Sequence, residues 1–308
     1  MDKFAVRVIT YNLLSDAYAT QKQFPLSKSY YLEFDIRIFK TIKLIESWIK
    51  VNFLICLQEL SRTWLEILEP FFKKNGYILF YDCYSLNTLG VGIAYPANHY
   101  SIIKSDVYKC GKYVEKLIST EEYISKQLSD ATKKENTMLS LYLCPKYYGK
   151  DIGKRIMISN YHMPCKFMYE YFMVSHILAV KDRISYLQDL WKVEKVILVG
   201  DFNTTPDKRT YNLIKGNLYD DTFLQNNNIK ELPKLESAFF KCHNKEPAYT
   251  NVSLKDKFIN CIDYIFINEG IQVMSCITGL TVDNPQNVSY PNGLCPSDHV
   301  PLSASLFI

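Results

Sequence analysis

The chain has 308 residues, 48% of them hydrophobic and 14% aromatic, and a net charge of +4. This places it among globular proteins, with too little charge by itself to argue for a polyanionic partner. Nine cysteines without a C-x-x-C pair argue against a disulfide framework or a zinc site and for a reducing, cytoplasmic setting. No run approaches the roughly 18 to 20 apolar residues of a membrane span, and the opening alternates where a secretory signal would hold an apolar core.

"FAVRVITYNLL" begins at Phe4 in the period-2 alternation of a strand and brings Asn12 to its end. Ile38, Ile42, Ile45 and Ile49 recur at helical spacing, and "FLICLQE" follows as a buried strand ending on Glu59. "TWLEILEPFFKK" predicts a helix that Pro70 should kink or end. Strands are expected at "YILFYD", "GVGIAY", "TMLSLYL" and "RIMISNYH". Within this part of the chain, residues 110–136 show little periodicity and read as a polar insertion or mobile loop bearing a short helix. Between Ser101 and Arg155, eleven Lys or Arg face seven Asp or Glu, the whole positive excess of the chain. A solvated surface accounts for that excess better than a nucleic-acid contact does.

Met173, Ile177, Val180, Ile184, Leu187 and Trp191 then mark a long amphipathic helix. Val196 to Val199 form the apolar run of a strand buried on both faces, and Gly200 releases the chain into Asp201-Phe202-Asn203. Thr205 and Pro206 predict an N-cap with proline in the first turn of the next helix. "CIDYIFI" and the final "PLSASLFI" complete the strands. With strands at both ends and no repeat or low-complexity linker, residues 1–308 are expected to form a single α/β domain with no targeting extension before Phe4.

Almost every apolar strand is bounded by a carboxylate, an amide or a histidine: Asn12, Glu59, His162, Asp201 with Asn203, Asp263, and Asp298 with His299. Singly, each has an ordinary structural explanation as a turn residue, an edge carboxylate or a satisfied core histidine. As a set they match what a metal-dependent phosphodiester site requires. Magnesium takes hard oxygen ligands, usually one or two carboxylates, and leaves positions for water and phosphate. Glu59 suits that role, with Asn12 and Asp298 on the metal side. Asp201 can orient and deprotonate the attacking water, Asn203 and Asn12 can position phosphate, and His299 can bond a phosphoryl oxygen with its tautomer set by Asp263.

The motifs "TYNLLSD", "CLQE", "NYHM", "GDFNTTP", "CIDYIFI" and "PSDH", in this order, resemble the endonuclease/exonuclease/phosphatase superfamily, the magnesium phosphodiesterases related to deoxyribonuclease I. "YNLLSDAYAT" with "YYLEFDIRIFK", then "LESAF", "EPAYTN" and "GLCPSDHVPLSA", resemble most closely the branch of the carbon catabolite repression deadenylases, angel, nocturnin and 2′,5′-phosphodiesterase. The resemblance implies a four-layer α/β sandwich, two packed mixed β-sheets flanked by helices, with the site at one edge of the sheet pair. It also implies catalytic roles for Asp201, Asn203, His299, His162 and Asp263, and Mg2+ as cofactor with Mn2+ as a substitute. Phe258, five residues before Asp263, stands where that branch stacks an aromatic on the terminal adenine. Tyr161 and Met163 depart from the branch's usual threonine and leucine beside His162, and "PCKFMYEYF" is not its usual continuation.

The expected activity is magnesium-dependent 3′-to-5′ degradation of RNA from a poly(A) end with release of 5′-nucleotides. The alternative is a phosphodiesterase or phosphatase for a small nucleotide: a 2′,5′-oligoadenylate, a dinucleotide 2′-phosphate or a cyclic phosphate end. A catalytically dead RNA-binding scaffold is a further reading, opposed by the intact set of site residues.

Overall fold

The computed structural model describes residues 4–217, 222–229 and 232–308. Alternation along the strands divides each sheet into two unlike faces. In the first strand, Ala5–Asn12, Val6 and Val8 point between the sheets, while Ile9 and Tyr11 point outward to helices. The same parity holds in Leu54–Gln58, Ile156–His162, Lys195–Asp201 and Asp263–Ile267. There Leu54, Cys56, Ile156, Ile158, Ile197, Val199, Ile265 and Ile267 fill the layer between the sheets.

One sheet has six strands, in the order Gln272–Thr278, Leu302–Phe307, Ala5–Asn12, Leu54–Gln58, Leu89–Pro96, Tyr77–Tyr84. The other runs Glu236–Ser237, Asp263–Ile267, Lys195–Asp201, Ile156–His162, Thr137–Tyr147, Tyr100–Lys109, with Lys150–Asp151 paired onto Thr137–Tyr147. Each sheet is mixed: Ala5–Asn12 runs parallel to Leu54–Gln58, Ile156–His162 runs parallel to Lys195–Asp201, and the remaining pairings are antiparallel. The carboxyl ends of both parallel pairs therefore lie where the candidate residues lie. The helices Phe34–Ile49 and Arg62–Lys74 cover the outer face of the first sheet. Glu170–Trp191, flanked by Glu122–Thr132 and Arg209–Ile214, covers that of the second. This is the expected four-layer sandwich. No helix among the described residues is long and apolar enough to cross a membrane.

Three local expectations are corrected. Arg62–Lys74 does not end at Pro70 but continues through it as one helix. Proline inside a helix costs about 3 kcal/mol, whereas each fully buried large apolar side chain contributes about 1.5 to 3 kcal/mol, and Trp64, Leu65, Leu68 and Phe72 are all buried. The helix after Gly200 starts at Arg209, three residues beyond Pro206. Thr205 bonds its hydroxyl to Asp207 instead, so Thr205 and Pro206 form a turn that precedes the helix. Residues 110–136 hold two helices, Gly111–Val114 and Glu122–Thr132, and bury Tyr113, Leu117, Ile124, Leu128 and Ala131 beside the long helix. The i, i+4, i+7 signal of Ile124, Leu128 and Ala131 is short and interleaved with charge. Two edge strands, Tyr100–Lys109 and Gln272–Thr278, are too polar on their outer faces to stand out in the sequence.

Candidate active site

The parity that sends aliphatic side chains between the sheets also sends Asn12, Gln58, Asn160, His162, Asp201 and Asp263 there. At one edge of the sandwich the apolar layer thus gives way to polar groups, all buried. Amides tie the two sheets together at this edge. Asn160 donates to the carbonyls of Leu57 (2.8 Å) and Gly92 (2.9 Å) and accepts from Gln58 Nε2 (2.7 Å). Asn12 Nδ2 donates to Glu59 Oε1 (3.1 Å) and to Asp201 Oδ2 (3.0 Å), linking the carboxylates of the two sheets.

Asp201 is the hub. Its Oδ2 lies 3.5 Å from His162 Nε2 and 3.7 Å from His299 Nε2, and its Oδ1 accepts from the Asn203 backbone N–H at 2.9 Å. His299 Nδ1 lies 2.8 Å from Asp263 Oδ2. Asn203 takes a left-handed backbone (φ 46°) and donates its amide to the Met163 carbonyl at 2.7 Å. Its amide nitrogen thus helps to hold the turn. Gly200 is required by packing: at φ 144° a Cβ would lie 1.8 Å from the Tyr161 carbonyl oxygen. Phe202 points the other way, into the aromatic cluster of Tyr161, Tyr264 and Phe266.

Glu59 is also left-handed (φ 55°), a costly conformation for a residue with a long side chain and one that aims its carboxylate out of the strand end. Oε1 accepts from Asn12, and Oε2 accepts from the Ser15 N–H at 2.7 Å. No Lys, Arg or His side chain forms an ion pair with Glu59 among the described residues. Asp298 accepts from Asn251 Nδ2 at 3.2 Å and from the Ser297 hydroxyl at 3.4 Å. Arg37, wholly buried, donates to the carbonyls of Leu13 (2.6 Å), Leu14 and Pro296 (2.8 Å), and so joins the loop after Asn12 to the loop before Asp298.

Burial raises Asp201 to about 6, with Asp263 adding to the rise and His299 and His162 opposing it. For His299, burial is the largest single influence and disfavours the imidazolium, but Asp263, Asp298 and Asp201 together hold it well above the usual histidine range. Burial, helped by Glu59 and opposed by His299, also raises Asp298. Four carboxylates, Glu59, Asp201, Asp263 and Asp298, thus gather at a site where His299 and His162 oppose the charge of Asp201 and the buried Arg37 opposes that of Asp298.

The donor chemistry fits a hard divalent cation. Among the described residues Glu59 forms no ion pair, and Asp263 Oδ1 is buried without a hydrogen-bond partner. One set of ligand atoms, from Asp201, Asp263 and His299, lies mutually within 4.8 Å. His299 Nδ1 is already paired within that set, so Glu59 is the carboxylate better placed to receive a cation.

Phe258 is the candidate set apart from this cluster. It opens the strand Phe258–Asn260 and is half-buried outside the hydrophobic clusters. Its hairpin partner Asn251–Ser253 joins it to the site, because Asn251 bridges to His299. Sequence reasoning missed Gln58, Arg37, Tyr84, Asn136 and Thr250. Tyr84 OH lies 3.5 Å from His162 Nδ1, Asn136 Nδ2 donates to the His162 carbonyl, and Thr250 Oγ1 accepts from the Asp263 N–H. Strand parity could have found Gln58; no pattern in the sequence points to the others.

The profile of the endonuclease/exonuclease/phosphatase family matches residues 9–299. The chain is similar to the CCR4-Not complex 3′-5′-exoribonuclease subunit Ccr4 of Saccharomyces cerevisiae, with 28% identity over 96% of this chain and 38% of that protein. It is also similar to 2′,5′-phosphodiesterase 12 of Homo sapiens, with 27% identity over 98% of this chain and 51% of that protein. The chain thus spans about half the length of these relatives, or less. Among solved structures, ANGEL2, a 2′,3′-cyclic phosphatase, in complex with adenosine-2′,3′-vanadate superposes with a TM-score of 0.77 at 17% identity, covering 100% of this chain and 97% of that one. The human Nocturnin catalytic domain with bound sulfate gives 0.65 at 18% identity, with coverage of 100% and 97%.

Proposed function

Since the chain belongs to the endonuclease/exonuclease/phosphatase family, we propose that it is a magnesium-dependent phosphodiesterase acting on RNA, a 3′-to-5′ exoribonuclease that shortens poly(A) and releases 5′-nucleotides. The observation that carries this reading is the convergence on Asp201 Oδ2 of Asn12, His162 and His299, with Glu59 joined to the same amide.

Glu59, with Asn12 and Asp298 beside it, would hold Mg2+ or Mn2+. The ion would supply charge neutralisation at the phosphate oxygens. Asp201, raised to about 6 by burial, is matched near neutral pH to take a proton from water as its oxygen bonds to phosphorus. Asn12 keeps Asp201 oriented. His299, charged through its three carboxylate neighbours and fixed by Asp263, presents Nε2 to a phosphoryl oxygen. His162 supplies a second donor on the same side. The bond to the 3′-oxygen of the preceding nucleotide breaks, that oxygen takes a proton from solvent to become a 3′-hydroxyl, and the departing nucleotide keeps its 5′-phosphate. The whole chain acts as one catalytic unit, and the cytoplasm is the compartment that suits its unpaired cysteines.

A second reading, hydrolysis of a small nucleotide, is favoured by the similarity to human 2′,5′-phosphodiesterase 12 and by the superposition on ANGEL2. One panel separates the two: a 20-nucleotide poly(A), a 2′,5′-oligoadenylate, a dinucleotide 2′-phosphate and an RNA ending in a 2′,3′-cyclic phosphate. Each is assayed with Mg2+, with Mn2+ and with chelator. Metal-dependent release of 5′-AMP from poly(A), faster than turnover of the small substrates, is expected. Turnover of small substrates alone would overturn the RNA reading, and turnover that survives chelation would overturn the metal assignment.

A further inference from the structure

The strand Thr137–Tyr147 leaves the catalytic edge beside Asn136, which donates to the His162 carbonyl, and runs for eleven residues to the opposite pole of the sandwich. At the usual strand rise that is about 35 Å. It turns there through Tyr148 and Gly149, with Tyr147 paired to Lys150.

Both turn residues have positive φ, 47° and 77°. Two-residue hairpins of that kind favour Asn-Gly, and a bulky aromatic in the left-handed region is conformationally costly. The fold gains no burial in return, because Tyr148 is 89% exposed and Tyr147 63%. Their rings meet edge to face at 4.5 Å, which leaves ring faces open. In the sequence Lys146, Lys150, Lys154 and Arg155 flank them; Lys150 is exposed, while the half-buried Lys146, Lys154 and Arg155 donate to the Ala97 carbonyl, the Ile308 carbonyl and Cys144 Sγ, uncharged acceptors that leave their positive charge in place, and Asp151 accepts from the Ser101 hydroxyl. Strain held at an exposed position points to a role outside the fold.

We propose that the Tyr147–Tyr148 hairpin is a docking surface for single-stranded RNA, gripping a substrate on the 5′ side of the end held at the catalytic edge. The proposal rests on the reading that the substrate is RNA. Aromatic faces accept any base, and the lysines and arginine neutralise phosphates without reading sequence. A membrane surface would also attract this charge, but the turn Tyr147–Lys150 offers no aliphatic side chain to bury in lipid. At about 3.4 Å per stacked nucleotide, the path from site to hairpin requires roughly ten nucleotides. Short substrates cannot reach it.

The test is fluorescence anisotropy with labelled poly(A) of 6 and 30 nucleotides in chelator, together with hydrolysis of both in Mg2+. The intact protein should bind the 30-mer more tightly than the 6-mer. Tyr147→Ala with Tyr148→Ala should weaken 30-mer binding about tenfold or more, the worth of stacked bases, and leave binding and hydrolysis of the 6-mer unchanged. Lys150→Ala should reduce the salt slope of 30-mer binding by about 0.7. Tyr148→Asn, which installs the favoured turn, should raise the melting temperature while weakening 30-mer binding. Equal 30-mer binding by intact and doubly substituted protein would overturn the proposal, as would equal losses on both lengths. So would loss of attachment to phosphatidylserine vesicles with 30-mer binding retained. If the 6-mer is cut normally and the 30-mer is not favoured, the docking surface fails and the RNA activity stands. If neither RNA is bound or cut, both fail.

Discussion

His299 Nδ1 and Asp263 Oδ2 are 2.8 Å apart, and this contact joins the loop before the last strand to the first residue of Asp263–Ile267. It directs the other ring nitrogen, Nε2, toward Asp201. The pairing orients the ring and favours its charged form, as carboxylates behind catalytic histidines do. Asp263→Asn keeps the size of the side chain and removes its charge. Turnover is expected to fall by about 10²-fold or more while KM changes little, measured by steady-state hydrolysis of poly(A). A change confined to KM would show that the pair only shapes the binding surface.

Glu59→Ala should abolish metal-dependent hydrolysis and weaken Mg2+ binding measured by calorimetry. The melting temperature should stay close to that of the parent, because a half-buried side chain is removed from a cleft and no core cavity forms. Full activity of the folded variant would sink the assignment of Glu59 to the metal.

Phe258→Ala tests whether the half-buried ring receives a base. Stacking is worth roughly 1 to 3 kcal/mol per base. Hydrolysis of poly(A) should therefore weaken by about tenfold or more, with little change in melting temperature and little effect on a phosphodiester that carries no base. A large drop in thermal stability with equal losses on every substrate would make Phe258 a packing residue.

His176 gives the core a pH dependence separate from catalysis. It is fully buried, its Nδ1 lies 2.7 Å from the Tyr161 hydroxyl, and Nε2 lies 3.3 Å from the Ala131 carbonyl. Both contacts are satisfied by a neutral ring that accepts at Nδ1 and donates at Nε2. Burial lowers its pKa from 6.5 to about 4. The unfolded chain therefore binds the proton first as pH falls. This contribution to stability is present above about 6.5 and is lost progressively down to about 4, an effect on the order of 3 kcal/mol. Urea unfolding across that range should show a steeper loss for the parent than for His176→Gln, whose stability starts lower but carries no such titration. Parallel curves would exclude His176 as the source.

The sequence by itself determined more of the site than its spacing suggests. Period 2 is a local property of a strand, so the residues that make Val6 and Val8 face the second sheet also make Asn12 face it, and Ile197 and Val199 do the same for Asp201. The identity of the polar groups at the strand ends, and which of them share a face, could therefore be read before any coordinates. Tertiary structure alone decided the distances. Asn12 and Asp201 are 189 residues apart and meet at 3.0 Å because the aliphatic layer between the sheets, about 10 Å thick in such packings, brings two separate strand ends to one edge. The same packing carried the helix Arg62–Lys74 past Pro70 and buried Arg37 where it could bond three loop carbonyls. Neither outcome has a local signal, because both depend on surface removed from water by residues far away in the chain.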